Sequence, residues 1–101
     1  MPSLNIDLQD GFINDHVIIY IDAVEVFNRG AINSNKMLGL AEQFQTSCQG
    51  RQALVNIKIT NRNIEIEREV EIRLDHITSL GISIVEGQLL IRESDTPFSY
   101  A

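Results

Sequence analysis

The stretch Ile64-Glu65-Ile66-Glu67-Arg68-Glu69-Val70-Glu71-Ile72-Arg73-Leu74 decides the fold class. Ile64, Ile66, Val70, Ile72 and Leu74 fall on alternate positions, and Glu65, Glu67, Glu69, Glu71 and Arg73 fall between them; Arg68 interrupts the apolar file. Wound at 3.6 residues per turn, these apolar side chains scatter around a helix. In a strand, where successive side chains alternate between faces, they share one side. The four glutamates then stand about 7 Å apart along the other face, where repulsion through water is modest. Opposite charges such as Lys58 or Arg73 relieve it further. Such a row serves either as a solvated face that discourages edge-to-edge association or as a docking face for a basic partner.

Working outward, the same period of two recurs. Val55, Ile57 and Ile59 alternate with Asn56, Lys58 and Thr60, and Asn61-Arg62-Asn63 is the turn between the two strands. Ile82–Val85, Glu86-Gly87 and Gln88–Ile91 read as a hairpin. Upstream, Leu4, Ile6 and Leu8 alternate with Asn5, Asp7 and Gln9, and Phe44, Thr46 and Cys48 share a face. Val17–Ile21 is apolar throughout, and Val24–Phe27 follows it across Asp22-Ala23. A two-residue turn usually takes Gly second, so Ala23 predicts a strained or longer turn. In the one segment with helical character, Asn33–Ala41, Gly39 weakens a helix barely two turns long, so a loop or short turn is expected. With 15 Ile, 6 Val and 4 Thr, the chain is rich in side chains that suit a pleated surface.

The 101 residues make one domain, 1–101, long enough to bury a core without disulfides or metal. The architecture expected is all-β: a two-layer antiparallel β-sandwich of about eight short strands, with a small β-barrel as the alternative. No apolar run approaches a membrane span. Eight scattered cations against 14 acids, a net charge of −6, argue against nucleic acid and anionic membranes as partners. The single Cys48 and an N-terminus without signal-peptide character point to the cytoplasm.

Catalytic chemistry is thinly supplied. His16 and His76 lie far apart in sequence, Cys48 reads as a small buried hydrophobe, and no phosphate loop, nucleophile elbow or paired metal motif is present, so no enzyme and no cofactor are expected. The connection after the first strand carries Asp10, Asn14 and Asp15, three oxygen ligands that suit Ca²⁺; equally, Asp and Asn there, with Gly11, are ordinary turn chemistry. Sugar binding usually uses an exposed aromatic platform. Trp is absent, and Phe12 and Tyr100 are aromatics outside strand positions. Self-association has its own signal. If Val17, Ile19 and Ile21 face the core, Ile18 and Tyr20 face out, and Leu90 faces out between Leu89 and Ile91. Either the tail lays Phe98 or Tyr100 over them, or a homodimer covers them.

Leu8-Gln9-Asp10-Gly11-Phe12 with Asn14-Asp15-x-Val17, Leu38-Gly39-Leu40-Ala41, and Leu80-Gly81-Ile82-Ser83 through Pro97-Phe98-x-Tyr100 resemble a family of short, uncharacterised prokaryotic β-rich proteins. These are turn and core signatures, so the resemblance brings no activity and no functional residue. Asp-Gly is expected in that family where this chain has Asp22-Ala23. The functional expectation is a non-enzymatic protein-interaction or scaffolding domain; the alternative is a Ca²⁺-assisted carbohydrate-binding module built on Asp10, Asn14 and Asp15.

Overall fold

The computed structural model describes residues 3–61 and 65–100. Within them lie eight strands: β1 (Ser3–Leu8), β2 (Asp15–Ile21), β3 (Val24–Ile32), β4 (Glu42–Ser47), β5 (Gln52–Thr60), β6 (Glu65–Arg73), β7 (Ser79–Val85) and β8 (Gln88–Ser94). They form two four-stranded sheets, sheet A in the order β4-β1-β7-β8 and sheet B in the order β3-β2-β5-β6. This is the expected all-β sandwich, and the sheets do not close into a barrel. No helix among the described residues is long and apolar enough to cross a membrane. Ile64 and the Arg62-Asn63 part of the β5–β6 turn lie outside the described residues.

One pairing departs from the antiparallel expectation. β1 runs antiparallel to β4 but parallel to β7, with Ile6 opposite Leu80 and Leu8 opposite Ile82. Alternation assigns a residue to a face but says nothing of which strand lies beside it or in which direction.

The core forms where the inward files meet. Leu4, Ile6, Leu8, Leu80 and Ile82 come from sheet A, and Val17, Ile19, Val55, Ile57, Ile59 and Ile72 come from sheet B, all essentially without solvent contact. Burying a side chain of this size contributes about 1.5–3 kcal/mol. The two edges of the sandwich are closed differently. At one, Phe27 of β3 stacks on Phe44 of β4 with centroids 4.6 Å apart, and Arg29 lies over Phe27 while pairing with Glu42 at 2.9 Å. At the other, Arg68 reaches from β6 to β8 and donates to the Leu89 carbonyl oxygen at 2.9 Å. The cation that interrupts the apolar file is thus a cross-sheet tie.

Asp22-Ala23 makes a two-residue turn, with Ile21 opposite Val24. Both residues take left-handed backbone, φ 50° and 69°, which costs a residue with a Cβ roughly 1–2 kcal/mol. Two hydrogen bonds to β5 hold it there: Asp22 N–H donates to the Leu54 carbonyl oxygen, and Leu54 N–H donates to Asp22 Oδ1. The turn is therefore strained rather than longer. Residues 36–39 make a single turn, where Asn35 Oδ1 accepts from the N–H groups of Met37 and Leu38.

Candidate functional site

Because the core consumes the inward files, the outward files carry what chemistry the strands offer. On sheet B the register sets Ile18 beside Lys58 and Glu67, Tyr20 beside Asn56 and Glu69, and Leu54 beside Glu71. Tyr20, Leu54, Asn56, Lys58, Glu67 and Glu69 line an open cleft of about 410 Å³. Lys58 sits 5.6 Å from the Tyr20 ring centre and 3.7 Å from Glu67, and Asn56 donates to Glu67 at 3.4 Å. Arg73, the other cation expected to relieve the glutamates, pairs instead with Asp75. Ile18 and Tyr20 point outward and are half-buried.

Sheet A presents a different face. Its outward rows read Gln45–Asn5–Ser79–Ser94 and Gln43–Asp7–Gly81–Arg92, followed by Ser83 beside Leu90. The chain after β8 returns to this face. Tyr100 donates its hydroxyl proton to Asp7 Oδ2 at 2.5 Å and accepts from Gln9 Nε2 at 2.9 Å, while Gln43 Nε2 donates to the same Asp7 oxygen at 3.2 Å. The Gln9 amide lies flat over Gly81, where a Cβ would come within 2.7 Å of it. Burial, reinforced by the bond to Asp7, pushes the Tyr100 hydroxyl up to about 12. Beside this latch opens a cleft of about 380 Å³ between β4, β1 and the tail, lined by Asn5, Asp7, Gln43, Gln45, Ser79 and Phe98 among others. Ser79 is only 1% exposed, and its hydroxyl has no hydrogen-bond partner among the described residues.

The residues singled out from sequence separate in space. Ile18 and Tyr20 lie on the outer face of sheet B, whereas Leu90, 43% exposed, lies on the outer face of sheet A, so the three do not form one patch. The tail's hydrogen bonds are to sheet A and leave Ile18 and Tyr20 as they are. Asp15 is buried, with Oδ2 accepting from Ile13 N–H and Oδ1 from Asn61 Nδ2; Asp10 is exposed beside Gly39; Asn14 takes φ 49° and donates its N–H to Asn33. Asn14 is thus spent on turn geometry, and both carboxylate oxygens of Asp15, the first residue of β2, are taken. No group of three or more His, Cys, Asp or Glu placed to hold a metal occurs among the described residues. Phe12 is a core side chain. Cys48 is buried, and its thiol is pushed up by burial and then by the charge of Asp22. His16 bonds Asn28, and His76 stands next to Asp75.

The sheet A cleft residues escaped attention in the sequence, although a signal was there. Where the outward file of β6 is ionised, those of β1 and β4 carry three amides, Asn5, Gln43 and Gln45, around the one carboxylate of Asp7. The molecule is thus a small β-sandwich with one ionised, open outer face and one amide-lined, partly covered face. Compared with protein-family models, curated proteins and solved structures, the chain matches none.

Proposed function

We propose that the protein is a non-enzymatic interaction domain that presents the outer face of sheet B to a basic protein partner. One observation carries the reading: Ile18 and Tyr20 on β2 and Leu54 on β5, the last 40% exposed, form an apolar strip that meets the carboxylate file of Glu65, Glu67, Glu69 and Glu71 at Leu54, beside Glu71, and is otherwise one strand away from it across Asn56 and Lys58. An apolar strip supplies affinity through area removed from water, and a file of one sign supplies steering and selects the opposite sign. Lys58 is already paired with Glu67, so the face as a whole is acidic. A second copy of this chain would bring two such acidic files together, which costs electrostatic energy unless the copies are offset. The buried, protonated Cys48 suits a reducing, cytoplasmic setting.

Two-dimensional NMR titration with a peptide of alternating Arg and Leu tests this, with an alternating Glu and Leu peptide as the control. Saturable shifts confined to β2, β5 and β6, weakened by salt and removed by Glu67→Lys with Glu69→Lys, are expected. Equal binding of both peptides defeats the reading, and sedimentation equilibrium showing a dimer broken by Ile18→Glu replaces it with self-association.

A further inference from the structure

We propose that the cleft on the outer face of sheet A binds a polyhydroxylated ring the size of one or two sugar units. The inference is independent of the interaction assigned to sheet B and does not use the Asp10–Asp15 connection.

The donor set defines the chemistry. A sugar hydroxyl donates one hydrogen bond and accepts others, so it is matched by groups that also do both, and carboxamides are such groups. The Asn5 carboxamide makes no hydrogen bond within the described protein; Gln43 and Gln45 each donate through Nε2, to Asp7 and to Ser3, and keep their Oε1 atoms free to accept. No Lys or Arg lines the cleft, and Asp7 places a carboxylate in it. A phosphate or carboxylate ligand would meet repulsion with no compensating cation. The class that remains is neutral and rich in hydroxyls.

Ser79 is the independent observation. A hydroxyl taken from water without a partner is a standing cost, and buried polar groups in folded proteins are nearly always paired. Ser79 lies on the outward file of β7, beside Asn5, in the wall of this cleft. Rotation of the Ser79 side chain toward the cleft lets a ligand hydroxyl complete its hydrogen bonding. Phe98 supplies the apolar counterpart: the electron-rich face of an aromatic ring attracts the slightly positive C–H groups of a sugar ring. The tail is anchored two residues further on, where Tyr100 bonds Asp7 and Gln9, so the Phe98 wall is preformed. A volume of about 380 Å³ falls within the range of small-molecule sites.

The test is an NMR titration of the whole chain with the methyl glycosides of glucose, galactose, mannose and N-acetylglucosamine, each at about 10 mM, enough to fill a millimolar site. Glycerol and inorganic phosphate serve as controls. At least one glycoside is expected to shift the side-chain amide signals of Asn5, Gln43 and Gln45 saturably. Ser79→Ala should melt higher than the parent, because it removes the unpaired hydroxyl, yet bind about fivefold to tenfold more weakly. Phe98→Ala should lose more than tenfold; if it fails to fold, the exposed Gln45→Leu is expected to show the same loss. Absence of saturable shifts with all four glycosides, equal shifts with glycerol, tighter binding of phosphate, or unchanged affinity in Ser79→Ala each overturns the proposal.

Discussion

The two outer faces of this sandwich are built from strands of the same period of two, yet they differ in what holds them. On sheet B, Glu65, Glu67, Glu69 and Glu71 stand in solvent, and the nearest cation bond, Lys58 to Glu67, is 3.7 Å long and exposed. Bonds of that kind contribute about 0–1 kcal/mol each. On sheet A, Asp7 is 5% exposed, and its carboxylate is met by Tyr100 and Gln43, while Gln9 spans from Gly81 to the same tyrosine. Solvated charges tolerate loss because water replaces a missing partner. Buried polar groups do not, because a missing partner leaves an uncompensated atom. Sheet B is therefore the tolerant face and sheet A the exacting one.

The strongest way to break this contrast is to damage the seam common to both faces. Gly11 sits in the crossover from β1 to β2 at φ +88°, and a Cβ there would lie 1.9 Å from the Ile84 carbonyl oxygen. Gly11→Ala is expected to destabilise the domain by about 3 kcal/mol or more, lowering the melting temperature by roughly 12 °C or beyond. Near- and far-ultraviolet circular dichroism should lose structure together, since the loop feeds Phe12 into the shared core. Asp7→Ala sharpens the contrast directly. It should cost about 2 kcal/mol in urea unfolding, against less than about 0.5 kcal/mol for Glu71→Ala on the other face. Equal costs would erase the distinction.

Tyr100→Phe probes the latch alone and should cost about 1 kcal/mol at neutral pH. Its pH dependence has a definite sign. The tyrosine hydroxyl titrates near 10 when unfolded and at about 12 in the fold, so the folded state favours the protonated form. That contribution is present in full below pH 10 and is lost as pH rises through 12. The parent's advantage over Tyr100→Phe should accordingly shrink between those values. A constant difference across that window would mean the hydroxyl bonds do not hold the tail. A gain in stability is expected on the tolerant side. Ala23→Gly relieves the positive φ of the β2–β3 turn and should stabilise by about 0.5–1 kcal/mol, measured as a rise in the urea midpoint.

These substitutions follow the line between what the sequence made legible and what it did not. β5, β6 and the β7–β8 hairpin were readable because a period of two survives single exceptions such as Arg68 and Leu90, and each ends in polar or glycine turns. β3 runs to Ile32 rather than ending at Phe27, because Arg29, Gly30 and Ala31 lack apolar alternation and a register shift lies between Asp15 and Val17 on its partner. The strain at Ala23 was legible because its cause is local, a Cβ in left-handed backbone. The tail's destination was not: that Tyr100 meets Asp7 depends on two segments at opposite ends of the chain. The amide cleft fell between these cases. Its residues were visible as polar positions, but that the Ser79 hydroxyl is buried without a partner depends on its neighbours in the folded sheet.

The parallel pairing of β1 with β7 has a consequence for the order of assembly. Sheet B joins two hairpins, β2–β3 and β5–β6, through one antiparallel pairing of β2 with β5, but β1 lies between β4 and β7, and Ile6 finds Leu80 only after nearly the whole chain exists. At 5–20 residues per second of synthesis, one side of β1 waits on the order of ten seconds for that partner. Its Leu4, Ile6 and Leu8 side chains and one row of backbone donors and acceptors are unpaired meanwhile, the state in which a nascent chain most needs a chaperone or risks pairing with another copy of itself. Refolding in vitro should show the same hierarchy, with sheet A closing last and setting the observed rate.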